Sequence, residues 1–362
     1  MVDLFKFFKK NSSDSYLGVD IGTTSIKVVE VRRGEKLPRV VNYGFLESGG
    51  YLARANQALQ TSTLKLFEKE VVELLRLILK EMNVQTAEAV ASLPAFSAFT
   101  TILDFPDMSP ADLEKAIPFQ AKQYVPVPLS EVVLDWMKVG EFTDERGFKH
   151  IRVFMISIPQ EQIKKYQRVF KLAGLKLNAL ELESLGLSRI FGGTDPTPTV
   201  IVDIGSRSTN VVFLDQGELR FSAQSDFAGA SLTQALATSL GITPLRAEEL
   251  KKERGIVGVG PGYELSTIML PFLDAIINEV KNSIFKYQSQ FSQSPKIERL
   301  ILAGGGANLV GIEKYFEKEF DIPIVKAAPF SKFEYHGDMA PMLPELNPIM
   351  SVALGLILDK VK

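Results

Sequence analysis

The 362-residue sequence has no cysteine, two histidines and one tryptophan. Without thiols there are no disulfides, no thiolate nucleophiles and no cysteine metal sites, and two histidines are too few for an ordinary zinc site. His150 and His336 therefore read as surface or loop residues. No run of about 18 apolar residues is present, so no segment is a candidate membrane span. The first residues lack the apolar core and cleavage site of a secretory leader, and the expected location is the cytoplasm. Charge of one sign is also scarce. A net charge of −2 supplies no basic footprint for nucleic acid. What remains is a chain that is 46% hydrophobic and long enough for two or more domains.

The strongest positive signal is a repeat. Leu17 to Glu30 reads LGVDIGTTSIKVVE, and Val200 to Leu214 reads VIVDIGSRSTNVVFL. At the offset of 183 that carries Asp20 to Asp203, Val19, Ile21, Gly22, Ser25, Val28 and Val29 recur as Val202, Ile204, Gly205, Ser208, Val211 and Val212. Each copy is an apolar run ending in Asp, a Gly with small hydroxyl residues, and a second alternating run. That pattern predicts a strand, a tight turn and a return strand. Such a turn offers what a phosphate needs: glycine for close approach, exposed N–H groups and hydroxyls, and an Asp suited to a magnesium-bound water. A single copy could be a plain turn. Two copies argue for related domains closing on a shared ligand.

Residues 1–10 place Met1, Leu4, Phe5 and Phe8 opposite three lysines, and read as a short segment that folds back or frays sooner than one that lies on an acidic membrane. Leu64 to Met82 predicts an amphipathic helix whose apolar face is core. From residue 88 the order is β-α-β-β-α-β, a compact inserted module, with a helix capped near Ser109 and carrying Pro118. Its FQAKQYVPVP stretch, Phe119 to Pro128, could receive a peptide or could be a helix end tied by prolines. Glu183 to Phe191 predicts a helix, and Gly192 to Pro198 a domain boundary. Gly229 stands before a helix N-terminus, an arrangement that favours an anion or a close backbone approach. Val257 to Gly262, VGVGPG, mimics a dinucleotide fingerprint but reads as a surface loop. Leu300 to Phe316 reads as strand, triple glycine (Gly304, Gly305, Gly306) and helix, where a base or phosphate can lie on bare backbone. The final helix, PIMSVALGLIL, is expected to pack on the first domain.

The two Asp-bearing hairpins and the later triple-glycine turn, in this order, resemble the ATPase superfamily of actin, sugar kinases and heat-shock chaperones. Within it the chain resembles the PilM family of type IV pilus assembly over nearly its whole length. LFKFFKK ahead of the first strand, FPDMSP, IPFQAKQYVPVPLSE and KLAGLKLNALELESLGLSR carry that resemblance. It implies an α/β, actin-like, duplicated two-domain fold with an FtsA-like inserted module. The implied divisions are a tail at 1–15, a first domain of 16–90, 176–195 and 341–362, a module at 91–175 and a second domain at 196–340.

The resemblance also implies ATP and Mg2+ as cofactors. Asp20 and Asp203 would face the magnesium through water. Gly22, Thr23, Thr24, Ser25, Gly205, Ser206 and Ser208 would cradle the phosphates, with Lys27 in the place of the phosphate-contacting lysine of actins. Glu183 falls where the chaperones carry a water-positioning Glu, although it could be a solvent-facing helix residue. With Asp203 it is the candidate catalytic pair. Glu248 and Lys251 match ribose contacts, and Gly304, Gly305, Gly306 and Asn308 match an adenosine motif. Where relatives have paired glycines this chain has Ala228-Gly229; Gly229 keeps the approach, but affinity could be lowered.

The implied role is a cytoplasmic protein peripheral to the inner membrane, binding the N-terminal peptide of PilN between the first domain and the module, with Phe105 to Pro128 as one wall. ATP turnover is expected to be slow. Three alternatives stay open. An FtsA-like division filament protein should add a C-terminal linker and amphipathic helix after the core, whereas this sequence stops at Lys362. A sugar kinase would show an acceptor site, and a chaperone would need a separate substrate domain.

Overall fold

The computed structural model describes residues 13–47, 65–256 and 263–361. Residues 1–10 and Val257 to Gly262, singled out above, lie outside the described residues, as do residues 48–64.

The repeated sequence forms a repeated sheet. In the first half, β1 (Ser15–Ile21), β2 (Ser25–Arg32) and β3 (Arg39–Glu47) form an antiparallel meander. Helix α1 (Lys65–Met82) crosses to β4 (Glu88–Leu93), which lies parallel to β1, and β8 (Lys176–Leu182) lies parallel to β4. The order is β3-β2-β1-β4-β8. In the second half, β9 (Thr199–Ile204), β10 (Thr209–Asp215) and β11 (Glu218–Ser225) make the same meander. There β12 (Arg299–Ala303) joins β9 in parallel and β13 (Ile324–Lys326) joins β12, giving the order β11-β10-β9-β12-β13. The central strands β1, β9 and β10 are buried almost residue for residue, as near-continuous apolar runs covered on both faces should be.

Helices fill the spaces these sheets leave. On α1, Val72, Leu75, Ile78 and Met82 are buried at helical spacing, so its apolar face is core as expected. Helix α4 (Glu183–Phe191) and the terminal helix α10 (Ser351–Val361) pack on each other and on the first sheet. Contact there is backbone to backbone: a Cβ on Gly18 of β1 would lie 2.1 Å from the carbonyl oxygen of Ala353. The predicted terminal helix is broken at Met350. Helix α9 (Leu343–Ile349) precedes it, and the helical segment from 337 to 349 meets α10 at 98°. In the second half, α5 (Gly229–Leu240), α6 (Pro244–Arg254) and the long α7 (Tyr263–Gln290) separate β11 from β12.

The β-α-β-β-α-β insertion does not form one body. Only β5 (Phe99–Pro106), α2 (Pro110–Ala121), β6 (Val132–Thr143) and β7 (Lys149–Pro159) make the separate unit, a three-stranded sheet of order β5-β7-β6 with its own core. The last helix, α3 (Gln160–Ala173), packs on α1, and β8 returns to the first sheet. The reason is burial: from Ala179 to Leu182 both faces of β8 are buried, which suits a strand covered on two sides. Ser109 caps α2 as predicted, accepting from the Asp112 N–H at 3.2 Å, and the helix ends at Ala121. The triple glycine likewise does not open a helix directly. A 3-10 turn, Gly305–Asn308, comes first, and α8 (Ile312–Glu317) starts later. Finally, His336 is exposed in a loop, but His150 is a half-buried residue of β7, with its ring stacked on Phe142 at 5.0 Å.

Candidate functional site: a cleft between paired Asp-bearing turns

The two predicted turns line one cleft and are built alike. Gly22 N–H donates to the Ser25 carbonyl at 2.9 Å, and Gly205 N–H donates to the Ser208 carbonyl at 3.0 Å. Thr23, Thr24 and Ser25 line it from the first half, Ser206 and Ser208 from the second, and Gly304 and Gly305 complete the wall. At Gly304 only glycine serves. Its φ is +79°, and a Cβ would lie 2.5 Å from Asp203 Oδ1.

Strand pairing decides what each Asp meets. Lys27 is the register partner of Asp20 across β1 and β2, and its Nζ donates to Asp20 Oδ2 at 2.8 Å. Ser92 on β4 donates its hydroxyl to Asp20 Oδ1 at 2.6 Å. Asn210 is the register partner of Asp203; its amide donates to Asp203 Oδ2 at 3.5 Å and to Glu183 Oε2 at 2.8 Å. Glu183, the first residue of α4, also accepts from the Ala95 N–H at 3.4 Å. The Oδ1 of Asn210 is buried without a hydrogen-bond partner among the described residues.

Three carboxylates thus share a cleft with one committed lysine, and protonation follows. Burial, reinforced by the charges of Asp20 and Asp203, pushes Glu183 up to about 8. Burial also lifts Asp203 to about 6; Lys27 pulls it back, and Asp20 adds to the rise. Burial would lower Lys27, but Asp20, with Asp203 and Glu183, outweighs it and raises the ammonium above its usual range. An excess of negative charge next to turn N–H groups and hydroxyls suits a divalent cation carrying a phosphate chain. No three acidic or histidine side chains converge closely enough to cage a metal directly among the described residues. A cation here would keep water in its shell, in line with the hard, water-rich coordination of magnesium.

The remaining predicted residues sit one layer out. Gly229 N–H donates to the Gly205 carbonyl at 3.0 Å, so the start of α5 is tied to the second turn. Lys251 Nζ reaches the Gly229 carbonyl at 3.2 Å and Glu248 at 2.6 Å, and Thr233 donates to Glu248. Glu248 and Lys251 therefore face each other and do not line the cleft wall. Gly306 packs against Ile204, and the Asn308 amide donates to the Glu345 carbonyl at 2.8 Å.

Phe96, Arg207 and Asn210, which line the cleft, escaped the sequence reading, as did Ser92, which holds Asp20. Arg207 stacks over the Phe96 ring at 4.3 Å, a contact that spans the cleft from the second turn to the loop after β4. Asn210 was findable, because it lies at the repeat offset from Lys27. Ser92 was not, since nothing local to it says that β4 pairs with β1.

Two sheets of one topology, set around paired Asp-bearing turns, define an actin-like protein. EutJ, an ethanolamine utilization protein from Carboxydothermus hydrogenoformans, shares the fold at TM-score 0.56 and 16% identity, covering 97% of this chain and 92% of its own. MreB 5 of Spiroplasma citri, solved bound to AMPPNP, does so at TM-score 0.53 and 14% identity, covering 95% of each chain. Among sequence relatives, the cell division protein FtsA of Enterococcus hirae is 21% identical over 352 residues, 87% of this chain and 78% of its own length. The chain belongs to the family of the type IV pilus assembly protein PilM, whose model matches residues 18–361. A solved PilM-PilN type IV pilus biogenesis complex has a chain superimposing at TM-score 0.83 and 21% identity, over 97% of this chain and all of that one. This is therefore an actin-like component of type IV pilus assembly. No single helix among the described residues is long and apolar enough to cross a membrane.

Proposed function

We propose that the cleft binds Mg-ATP and that the protein is a cytoplasmic adaptor, held at the inner-membrane platform of the pilus machine by its partners. The observation that carries this reading is the facing pair of Asp-bearing turns, with Lys27 between them, in a chain of the PilM family. Gly22 to Ser25 and Gly205 to Ser208 would hold the phosphates by backbone N–H and hydroxyl donors. Asp20 and Asp203 would hold the waters of a magnesium ion, whose charge would neutralise that of the phosphates. Glu248 and Lys251 would reach the ribose from behind Gly229, and Gly304 to Gly306 with Asn308 would border the adenosine. Glu183 would orient a water near the phosphate end, and a single such group supports only slow turnover. Nucleotide then acts chiefly as a clamp on the two halves.

The partner is PilN, by analogy with the solved complex, and the segment it would offer is its cytoplasmic N-terminal peptide. Its groove would lie between the first half and the inserted sheet, with residues 105–128 as one wall. Exposed Phe119, Tyr124 and Val127 supply the apolar surface that an extended peptide needs. The test is calorimetric titration with that peptide, with and without Mg-ATP. Stoichiometric micromolar or tighter binding is expected, and the difference between the two titrations is the coupling free energy. Absence of peptide binding despite intact nucleotide binding would favour the FtsA-like filament reading, to be followed by sedimentation for polymers.

A further inference from the structure

The inserted sheet belongs to the first half by sequence, but its buried polar contact is with the second. Along β7 the side chains alternate: Ile151, Val153 and Met155 face the unit's own core, while Arg152, Phe154 and Ile156 face the body of the protein. Arg152 is 8% exposed. Its Nε and Nη2 donate to Asp104 at 2.7 and 2.8 Å, and its Nη1 donates to the carbonyl of Gln290, the last residue of α7. A cation at a helix C-terminus meets carbonyls that have no partner within the helix. The guanidinium also lies between two rings, 4.4 Å from Phe142 of the inserted sheet and 4.7 Å from Phe291 of the second half.

The stack continues inward. Phe291 packs on Tyr287 at 5.1 Å, and Tyr287 on Phe213 of β10 at 4.7 Å. β10 is the strand that opens with Thr209 and Asn210 at the cleft. From the other side, Arg220 of β11 donates to the Val139 carbonyl at 3.0 Å, at the bulge where the pairing of β6 with β7 shifts register. Gly140 beside it takes the edge of Phe291, to which its Cβ would stand only 3.7 Å away.

We propose that Arg152 is a latch that makes the inserted sheet ride with the second half, so that opening or closing of the cleft carries the exposed Phe119–Tyr124–Val127 face past the first half. This rests on the reading of the cleft as a nucleotide site, and it names the physical link between nucleotide and partner. The sheet is joined to the first half by two chain crossings, after β4 and before α3, which act as hinges. The guanidinium, its two rings and the Arg220 contact form the rigid side.

The absence of native cysteine allows a direct test by paired spin labels. Lys115→Cys on α2 is combined with Lys314→Cys on α8, or with Lys80→Cys on α1; all three lysines are exposed. Distances are read with and without Mg-AMPPNP, and calorimetry on the same samples reports whether nucleotide binds. The expected result is a narrow 115–314 distribution that nucleotide leaves in place, and a 115–80 distance that nucleotide shifts. Arg152→Met, which keeps the packing between the rings but removes the donors, should at least double the width of the 115–314 distribution, even without nucleotide. Arg220→Ala, on the opposite side of the joint, should broaden it less and guards against misfolding of the first variant. A 115–314 distance that nucleotide shifts while 115–80 stays fixed would overturn the proposal, as would wild-type widths in Arg152→Met. If calorimetry shows no nucleotide binding, the reading of the cleft fails, and the nucleotide-free widths alone still decide the latch.

Discussion

The two halves present the same strand, turn and return strand, yet they treat their aspartates differently. Asp20 meets Lys27 on one neighbouring strand and Ser92 on the other. At the equivalent places Asp203 meets Asn210 and Ala303. One carboxylate is thereby neutralised and hydrogen-bonded on both oxygens. The other keeps only a weak amide contact, and burial raises it to about 6. On one scaffold, the different neighbours leave Asp20 held on both oxygens and Asp203 the less tightly held of the two.

Swapping the roles is the sharpest way to break this comparison. Asp203→Ala should lower ATP turnover by roughly 10²–10⁴-fold, while the nucleotide-free protein loses little stability because carboxylate repulsion is relieved. Asp20→Ala should do the reverse in the unfolding experiment. It leaves a mostly buried Lys27 without its partner, at a cost of about 3 kcal/mol by chemical denaturation. Equal denaturation midpoints for the two variants would remove the asymmetry. Next in size, Lys27→Ala should weaken ATP binding roughly 10- to 100-fold by titration, since a charge-assisted contact contributes about 1.5–3 kcal/mol. Wild-type affinity in that variant would sink the assignment of Lys27.

A smaller effect is expected from Glu183→Gln, which keeps the acceptor for Asn210 and removes the charge. The folded carboxyl titrates at about 8, against an ordinary value of 4.5. Between those values the folded state holds a proton that the unfolded state has released, so native stability falls as pH rises through the window. The variant should match wild type near pH 5 and exceed it near pH 9 by on the order of 1 kcal/mol, after allowance for solvent in the cleft. A pH-independent difference would show that Glu183 is not strained by its neighbours. Of about the same size, Ser92→Ala should cost roughly 1.5 kcal/mol by chemical denaturation, the low end for a hydrogen bond to a charged group.

How much of this was legible in the sequence follows from the distance over which each feature is encoded. The turns, with Asp20, Asp203 and their hydroxyl residues, are local, and the repeat pointed to them. Asn210 was encoded in the same repeat, as the counterpart of Lys27, and was overlooked because it breaks the likeness. Ser92 and Ala303 depend on a parallel neighbour far along the chain, which no local pattern reveals. The same holds for the inserted segment. Its strands and helices were readable from periodicity, but the return of β8 to the first sheet was set by two-sided burial. Likewise Glu248 and Lys251 were placed by motif position; their mutual ion pair is local, three residues apart on α6, whereas their contacts with Thr233 and the Gly229 carbonyl depend on how α6 packs against α5.

The packing of α10 on β1 and α4 has a consequence for synthesis. β1 and α4 leave the ribosome early, but the helix that covers them is made last of the described elements, and Gly18 must wait for Ala353. All five strands of the second sheet have been made by Lys326, before α10 begins. For on the order of ten seconds at ordinary elongation rates, the first-half sheet is therefore a nascent surface with one apolar face uncovered. Such a surface invites chaperones or premature pairing, and the order of completion in the cell is the second half before the first.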